Sequence, residues 1–358
     1  MSRPSVVFHV DLVQDVAVLR PLMRLARQEG DLDLALLVTK RFAGLDATGL
    51  WAGELDRLCA ELGVVRETYG SEVEALARLA DRRGLVIAGS ESSVSNHVLT
   101  HRLMRVLPPC LLGVTLQHGL ECVGFLHNER HDATAGLDVR FGADVVVGWF
   151  APERLAALPA CERSKLFVAG PTALIDGRPS PRPDVIPPRR GIVCENLHSV
   201  RFATDGLKRR FIDVFRGFAG AMAAIGTQTV LRPHPAGRFT ERNAVDLPGN
   251  VARSTGPLYD EDLTAYGFAI SAPSSVLLDF VLARVPVAVW IEGGEVDASN
   301  FAGLPTVSSL DDWTAFAQAA LARPAELLAG QEAWLSGLAM PADVRTRYVE
   351  LLALSRSV

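Results

Sequence analysis

Short apolar runs alternate with longer segments of helical periodicity along almost the whole chain, and that alternation restricts the fold more than any single motif. Val6–Val10, Leu32–Val38, Leu85–Ala88, Leu111–Leu116, Asp144–Val147 and Leu166–Val168 read as strands. Between them, Val16–Gln28 carries Val18, Leu19, Leu22, Leu25 and Ala26 at helical spacing, and Leu50–Leu62, Val73–Arg83 and Asn96–Leu107 follow the same period. Gly63 and Pro108-Pro109 supply the stops. Strands separated by helices cannot pair as hairpins. They pair in parallel, with helices covering both faces of the sheet.

At 358 residues the chain exceeds one ordinary core, so two domains are expected. The pattern breaks at residues 177–190, where Pro179, Pro181, Pro183, Pro187 and Pro188 mark a stiff connector that also holds Arg178, Arg182, Arg189 and Arg190. Alternation resumes with strand Gly191–Cys194, helix Leu207–Ile225, strand Thr227–Leu231, helix Val276–Arg284 and strand Pro286–Ile291. Trp313–Leu321, Ala325–Gly337 and Ala342–Leu354 close the chain as helices. The expected layout is an N-terminal acceptor-side domain (1–176), a linker (177–190), a C-terminal nucleotide-donor domain (191–338) and a terminal helix (339–358). The fold class is α/β: two Rossmann-like domains whose parallel sheets face a cleft, where ligands of open α/β sheets collect.

A net charge of −5 with a pI near 5.9 excludes the basic footprint of a nucleic-acid binder. The five cysteines are scattered, odd in number and without a Cys-x-x-Cys pair, which reads as free thiols in a reducing cytoplasm and not as a zinc site. Met1–Pro4 runs into Ser5–Val10 with no basic leader, so a cytoplasmic location is expected. The apolar stretch Tyr266–Ile291 is broken by Pro273, Asp279, Arg284 and Pro286, so it reads as a buried strand–helix–strand unit and not as a membrane span. Association with the inner membrane surface through an acceptor lipid is compatible with the sequence, although no strongly basic amphipathic helix supports it. The oligomeric state is not encoded in any feature of the chain.

Anion-friendly groups sit where strands end. Arg232-Pro233-His234-Pro235 follows a strand directly, with two prolines restricting the imidazole. Ser274 and Ser275 open the next helix, where they serve as caps, as phosphate contacts, or as both. Gln117-His118-Gly119 follows an apolar strand of the first half and places an imidazole that titrates near neutrality at a strand end. Ser90 and Glu91 also follow a strand and, with Gln117, are expected to line an acceptor pocket. Glu195 ends the first strand of the second half, as a base, a ribose contact or a solvated carboxylate. His127, His131 and Asp132 lack a flanking helix pattern, so no metal site is expected. Tyr259-Asp260-Glu261-Asp262 reads as an exposed acidic loop, and neither a Walker nor a dinucleotide glycine loop is present.

Three elements resemble the CDP-glycerol glycerophosphotransferase family: Gln117-His118-Gly119, Leu231-Arg232-Pro233-His234-Pro235, and Ser274-Ser275 followed by Leu278-Asp279-Phe280 and Val285-Pro286-Val287. The His-Pro and Ser-Ser elements are similar to those of bacterial transferases that use CMP-activated acidic sugars. The resemblance is densest over Thr115–Gly119 and Val230–Val289. It implies a two-domain GT-B transferase in which His234 and Ser274 or Ser275 hold the donor phosphate near Arg232, and His118 is the base. The family usually has Asp-Tyr before the Ser pair and Trp before the His-Gly turn, where this chain has Ala272-Pro273 and Gln117.

The expected function is therefore transfer of a sugar or polyol phosphate from a cytidine-nucleotide donor to a cell-surface polysaccharide acceptor. No cofactor and no metal are required, because Arg232, His234 and the serines supply the positive field. His118, or Glu195, would take the acceptor proton. A nucleotide-sugar 2-epimerase is one rival. It would need a carboxylate early in the helix that here begins Val276-Leu277-Leu278 before Asp279. A non-catalytic nucleotide-binding protein of the same architecture is the other.

Overall fold

The computed structural model describes residues 3–177, 187–197, 205–235, 237–291 and 296–358. The chain divides into two compact units: residues 1–127, 135–177 and 340–358 form the first, and residues 128–134 and 178–339 the second. Most of the expected connector, residues 178–186, lies outside the described residues.

In the first unit the chain runs β1 (Ser5–Val10), α1 (Val13–Gln28), β2 (Asp33–Thr39), α2 (Lys40–Leu45), α3 (Leu50–Leu62), β3 (Arg66–Tyr69), α4 (Glu72–Leu79), β4 (Gly84–Ala88), α5 (Val98–Arg105) and β5 (Leu111–Leu116). Nearly all of α6 (Glu129–Ala135) belongs to the second unit, and the first resumes with β6 (Val145–Gly148), α7 (Ala160–Arg163) and β7 (Leu166–Val168). The seven strands form one sheet in the order β3-β2-β1-β4-β5-β6-β7. Every pairing is parallel. All six positions of β1 are buried, as a parallel strand covered on both faces must be.

The second unit runs β8 (Arg190–Cys194), α8 (Asp205–Ala224), β9 (Gln228–Arg232), α9 (Phe239–Arg242), β10 (Val251–Arg253), β11 (Phe268–Ser271), α10 (Val276–Leu282), β12 (Val287–Trp290), β13 (Thr306–Val307), α11 (Leu310–Ala322) and α12 (Pro324–Gly337). Its six-stranded sheet, again parallel throughout, has the order β10-β9-β8-β11-β12-β13. The core beneath α8 and α11 is aromatic: Phe211 packs against Trp290 at 4.8 Å between centroids, and Phe218 against Trp313 at 5.4 Å.

One departure from the sequence reading has a clear cause. β3 and α6 are absent from the expected element set. β3 buries only Tyr69 and α6 buries nothing, so neither carries apolar periodicity. The last helix, α13 (Val344–Ala353), belongs to the first unit. There the Tyr348 hydroxyl donates to the Gly170 carbonyl at 2.8 Å, and the Arg347 Nε to that of Val168 at 2.9 Å.

Candidate functional site

In a doubly wound sheet the connections on either side of a reversal in strand order leave on opposite faces, which opens a crevice outside the carboxyl ends of the strands at that point. The two sheets reverse between β1 and β4 and between β8 and β11.

In the second unit, Glu195 follows β8, Arg232 ends β9, Ser271 ends β11, and Ala272 through Ser275 follow it. Asn196 Nδ2 donates to the Pro273 carbonyl at 3.4 Å and joins the two loops of the reversal. Glu195 is buried, and its carboxylate accepts from the Phe239 and Thr240 N–H groups at 2.6 and 3.1 Å and from the Thr240 hydroxyl at 2.6 Å. Burial raises its pKa against those same hydrogen bonds. A carboxylate held by three donors anchors the first turn of α9.

Arg232 is also buried, and its Nη1 meets the Gly256 carbonyl at 2.8 Å, the Ser254 hydroxyl at 3.2 Å and Glu261 Oε1 at 3.3 Å. Glu261, expected in an exposed acidic loop, is instead half-buried as this arginine's ion-pair partner and accepts the Tyr266 hydroxyl at 2.8 Å. Arg232 therefore sets the electrostatics of the edge through this network. The His234 carbonyl accepts from the N–H groups of Gly237 and Arg238 at 3.1 and 3.0 Å, which turns the His-Pro loop back on itself. Ser274 and Ser275 are half-buried. Ser275 stands at the N-cap of α10 in helical conformation, and its side chain makes no capping bond. Capping therefore does not account for Ser275.

Asp279, passed over in the sequence because it comes late after the Ser pair, lies one helical turn beyond Ser275, the N-cap of α10. Burial pushes its carboxyl up to about 7, with Arg232 opposing the shift. Ser271 Oγ is buried without a hydrogen-bond partner beside Cys194, its register neighbour.

In the first unit, the reversal between β1 and β4 is closed by Asp15. Its carboxylate accepts from the N–H groups of Asp11 and Leu12 at 3.0 and 2.8 Å and from the Ser90 hydroxyl at 2.5 Å. Burial pushes Asp15 up to about 7. A Cβ on Gly89 would meet the Asp15 Cβ at 2.9 Å, so this close seam needs glycine there. Glu91 pairs with His101 Nδ1 at 2.6 Å and accepts from the Gly142 and Ala143 N–H groups at 2.9 and 3.4 Å. Gln117 donates to the carbonyls of Gly119 and Leu120 at 3.0 and 3.3 Å and accepts from the Trp149 N–H at 2.9 Å. Ser90, Glu91 and Gln117 are 2%, 3% and 2% exposed. Their polar groups bond to the fold itself.

His118 is half-buried at the end of β5, its Nδ1 3.4 Å from the Cys122 sulfur. His97, not singled out in the sequence, lies edge-on to it with ring centroids 5.7 Å apart. Next to them, Arg41 donates to Asp11 Oδ2 at 3.0 Å and to the Asn96 carbonyl at 2.8 Å, while the Thr39 hydroxyl donates to Asp11 Oδ1 at 2.7 Å. Asp11 follows β1, Thr39 ends β2 and Arg41 comes two residues later, and that placement at strand ends was the signal available for them in the sequence.

A cavity of about 620 Å³ opens at the opposite, amino-terminal edge of the first sheet, lined in part by Arg105, Phe141, Asp144 and Lys165; it contains none of the expected site residues. Among the described residues no group of three or more His, Cys, Asp or Glu side chains is placed to hold a metal ion. No helix of the described residues is long and apolar enough to cross a membrane.

No protein-family model and no curated protein matches the chain. Solved structures do. MnaA of S. aureus in its UDP co-structure aligns with a TM-score of 0.61 at 12% identity, over 98% of this chain and 97% of that one. A Listeria monocytogenes protein described as a UDP-N-acetylglucosamine 2-epimerase aligns with a TM-score of 0.60 at 13% identity, over 99% and 96%. The glycosyltransferase SnogD of Streptomyces nogalater aligns with a TM-score of 0.58 at 18% identity, over 98% and 99%. At these identities the likeness is one of fold: with its two parallel-sheet units, the chain has the GT-B fold.

Proposed function

We propose that the protein is a transferase that takes a sugar or polyol phosphate from a nucleotide-activated donor and passes it to a glycan acceptor hydroxyl. The observation that carries this reading is the carboxyl edge of the second sheet. There the His234 loop and the Ser274-Ser275 pair follow β9 and β11, the two strands that flank β8, and Arg232 is buried at the end of β9. Hydroxyl donors and an imidazole, backed by a fixed guanidinium, suit the charge that builds on a departing nucleotide phosphate. His118 would receive the acceptor's proton. Cytidine is the base that the sequence resemblance favours. UDP is the nucleotide in the S. aureus MnaA co-structure.

A thermal-shift panel of CMP, CDP, UDP and GDP tests the donor site, because a ligand selective for the folded state raises the melting temperature. The nucleotide that binds is then offered as its activated sugar, and its release is followed. His118→Ala is expected to lower release by about 10²–10⁴-fold without changing the thermal shift. A panel in which no nucleotide shifts the melting temperature sinks the reading.

The 2-epimerase reading is favoured by one observation: Asp279 is a carboxyl titrating near neutrality on the helix that follows the Ser pair. Incubation with UDP-N-acetylglucosamine, with NMR detection of the 2-epimeric sugar, distinguishes it from transfer.

A further inference from the structure

His97 and His118 come from the connections after adjacent parallel strands, β4 and β5, so the sheet itself brings them together. Their rings meet at 82° with centroids 5.7 Å apart. Ser92 Oγ lies 2.8 Å from His97 Nδ1 and fixes one edge of that ring. Among the described residues no hydrogen bond is made by its other nitrogen. On His118, Cys122 Sγ stands 3.4 Å from Nδ1. Arg41 is the charged group facing His97 from α2, itself held by Asp11 and by the carbonyl of Asn96.

We propose that His97 is the positioning residue of His118: Ser92 locks the His97 ring, and His97 in turn fixes the orientation and proton affinity of His118 for its work on the acceptor hydroxyl. This rests on the reading of His118 as the base. Chemistry supports the division of labour. Burial, the neighbouring His118 and Arg41 hold His97 down to about 3, so it stays neutral and cannot itself take a proton near neutral pH. Cys122 is equally unsuited to act, since burial pushes its thiol up to about 12. His118 is the partly accessible member, and the other three groups constrain it. A ring that serves only as packing would contribute stability and nothing to its neighbour's titration. A ring that orients a base must alter that titration when its own anchor is removed.

The test compares wild type with Ser92→Ala, His97→Gln and His97→Ala by NMR titration of the histidine Cε1 protons, with His118 assigned by the signal lost in His118→Gln. Ser92→Ala and His97→Ala are expected to move the His118 midpoint by at least about 0.5 pH unit, because the partner's orientation is set by the missing hydrogen bond. His97→Gln, which keeps a polar group toward Ser92, is expected to move it less. The nucleotide thermal shift, read in the second unit, stays as in wild type in every variant. A His118 midpoint unchanged within about 0.2 pH unit in Ser92→Ala and His97→Ala, with cooperative melting retained, overturns the proposal. If His97→Ala does not fold, Ser92→Ala decides alone. Absence of any nucleotide shift in wild type sinks the transferase reading instead, and the His118 midpoints still report on the pair.

Discussion

Glu91 shows how a residue that looks functional in sequence is absorbed by the fold. It follows a strand at a ligand-binding edge, as a site carboxylate would, yet it spends its oxygens on His101, Gly142 and Ala143. Glu91→Ala is therefore expected to destabilise the first unit by about 3–5 kcal/mol, read by denaturant unfolding, because it strands buried donors and an imidazole. Asp279 is the opposite case, a residue whose sequence position gave no prominence but whose environment does. Its folded carboxyl titrates at about 7 against an ordinary value of 3.8, so between those values the folded state binds more protons than the unfolded one. Stability from this group falls as pH rises through that window. Asp279→Asn, neutral throughout, is expected to gain melting temperature over wild type at about pH 8 and to match it more closely at about pH 5. Equal differences at both values would refute the burial account. Asp15 contributes a slope of the same sign, and His9, pushed down to about 4 by burial, one of the opposite sign, so the comparison must be made variant against wild type.

At the scale of elements, strands and helices with a buried face were legible in the sequence, and those without one were not. β1, β4 and β11 are buried at every position, and apolar runs mark them. β3 buries only Tyr69 and α6 buries nothing, so no periodicity marked them. Packing between elements was invisible as well. Gly191, inside β8, lies under the ring of Phe268 on β11, and a Cβ there would overlap the ring. Gly191→Ala is expected to cost about 1–3 kcal/mol, measured as a lowered melting transition, because the strand or the ring must shift. A variant as stable as wild type would show that the core can relax around it.

For the molecule as a whole, the chain does not finish where it last built. After α12 it leaves the second unit, and residues 340–358 join the first. Val344, Tyr348, Leu351 and Leu352 are buried there. Each such side chain contributes about 1.5–3 kcal/mol on burial. Truncation after Ala339 is therefore expected to destabilise the first unit while the second, followed by its nucleotide-induced thermal shift, is retained. Loss of the shift with an intact first unit would reverse that assignment.

Alternation of apolar strands and amphipathic helices was enough to specify parallel α/β architecture in both halves, since period and chain order are local properties that survive in the primary structure. It also located His118, His234 and the serine pair at strand ends. Which polar groups are consumed by the protein's own hydrogen bonds was settled on folding, because burial and partnership depend on residues distant along the chain: Glu195 by Thr240, Ser90 by Asp15, Arg232 by Glu261. The meeting of His97 with His118 belongs to the same class, for it exists only once β4 and β5 lie side by side.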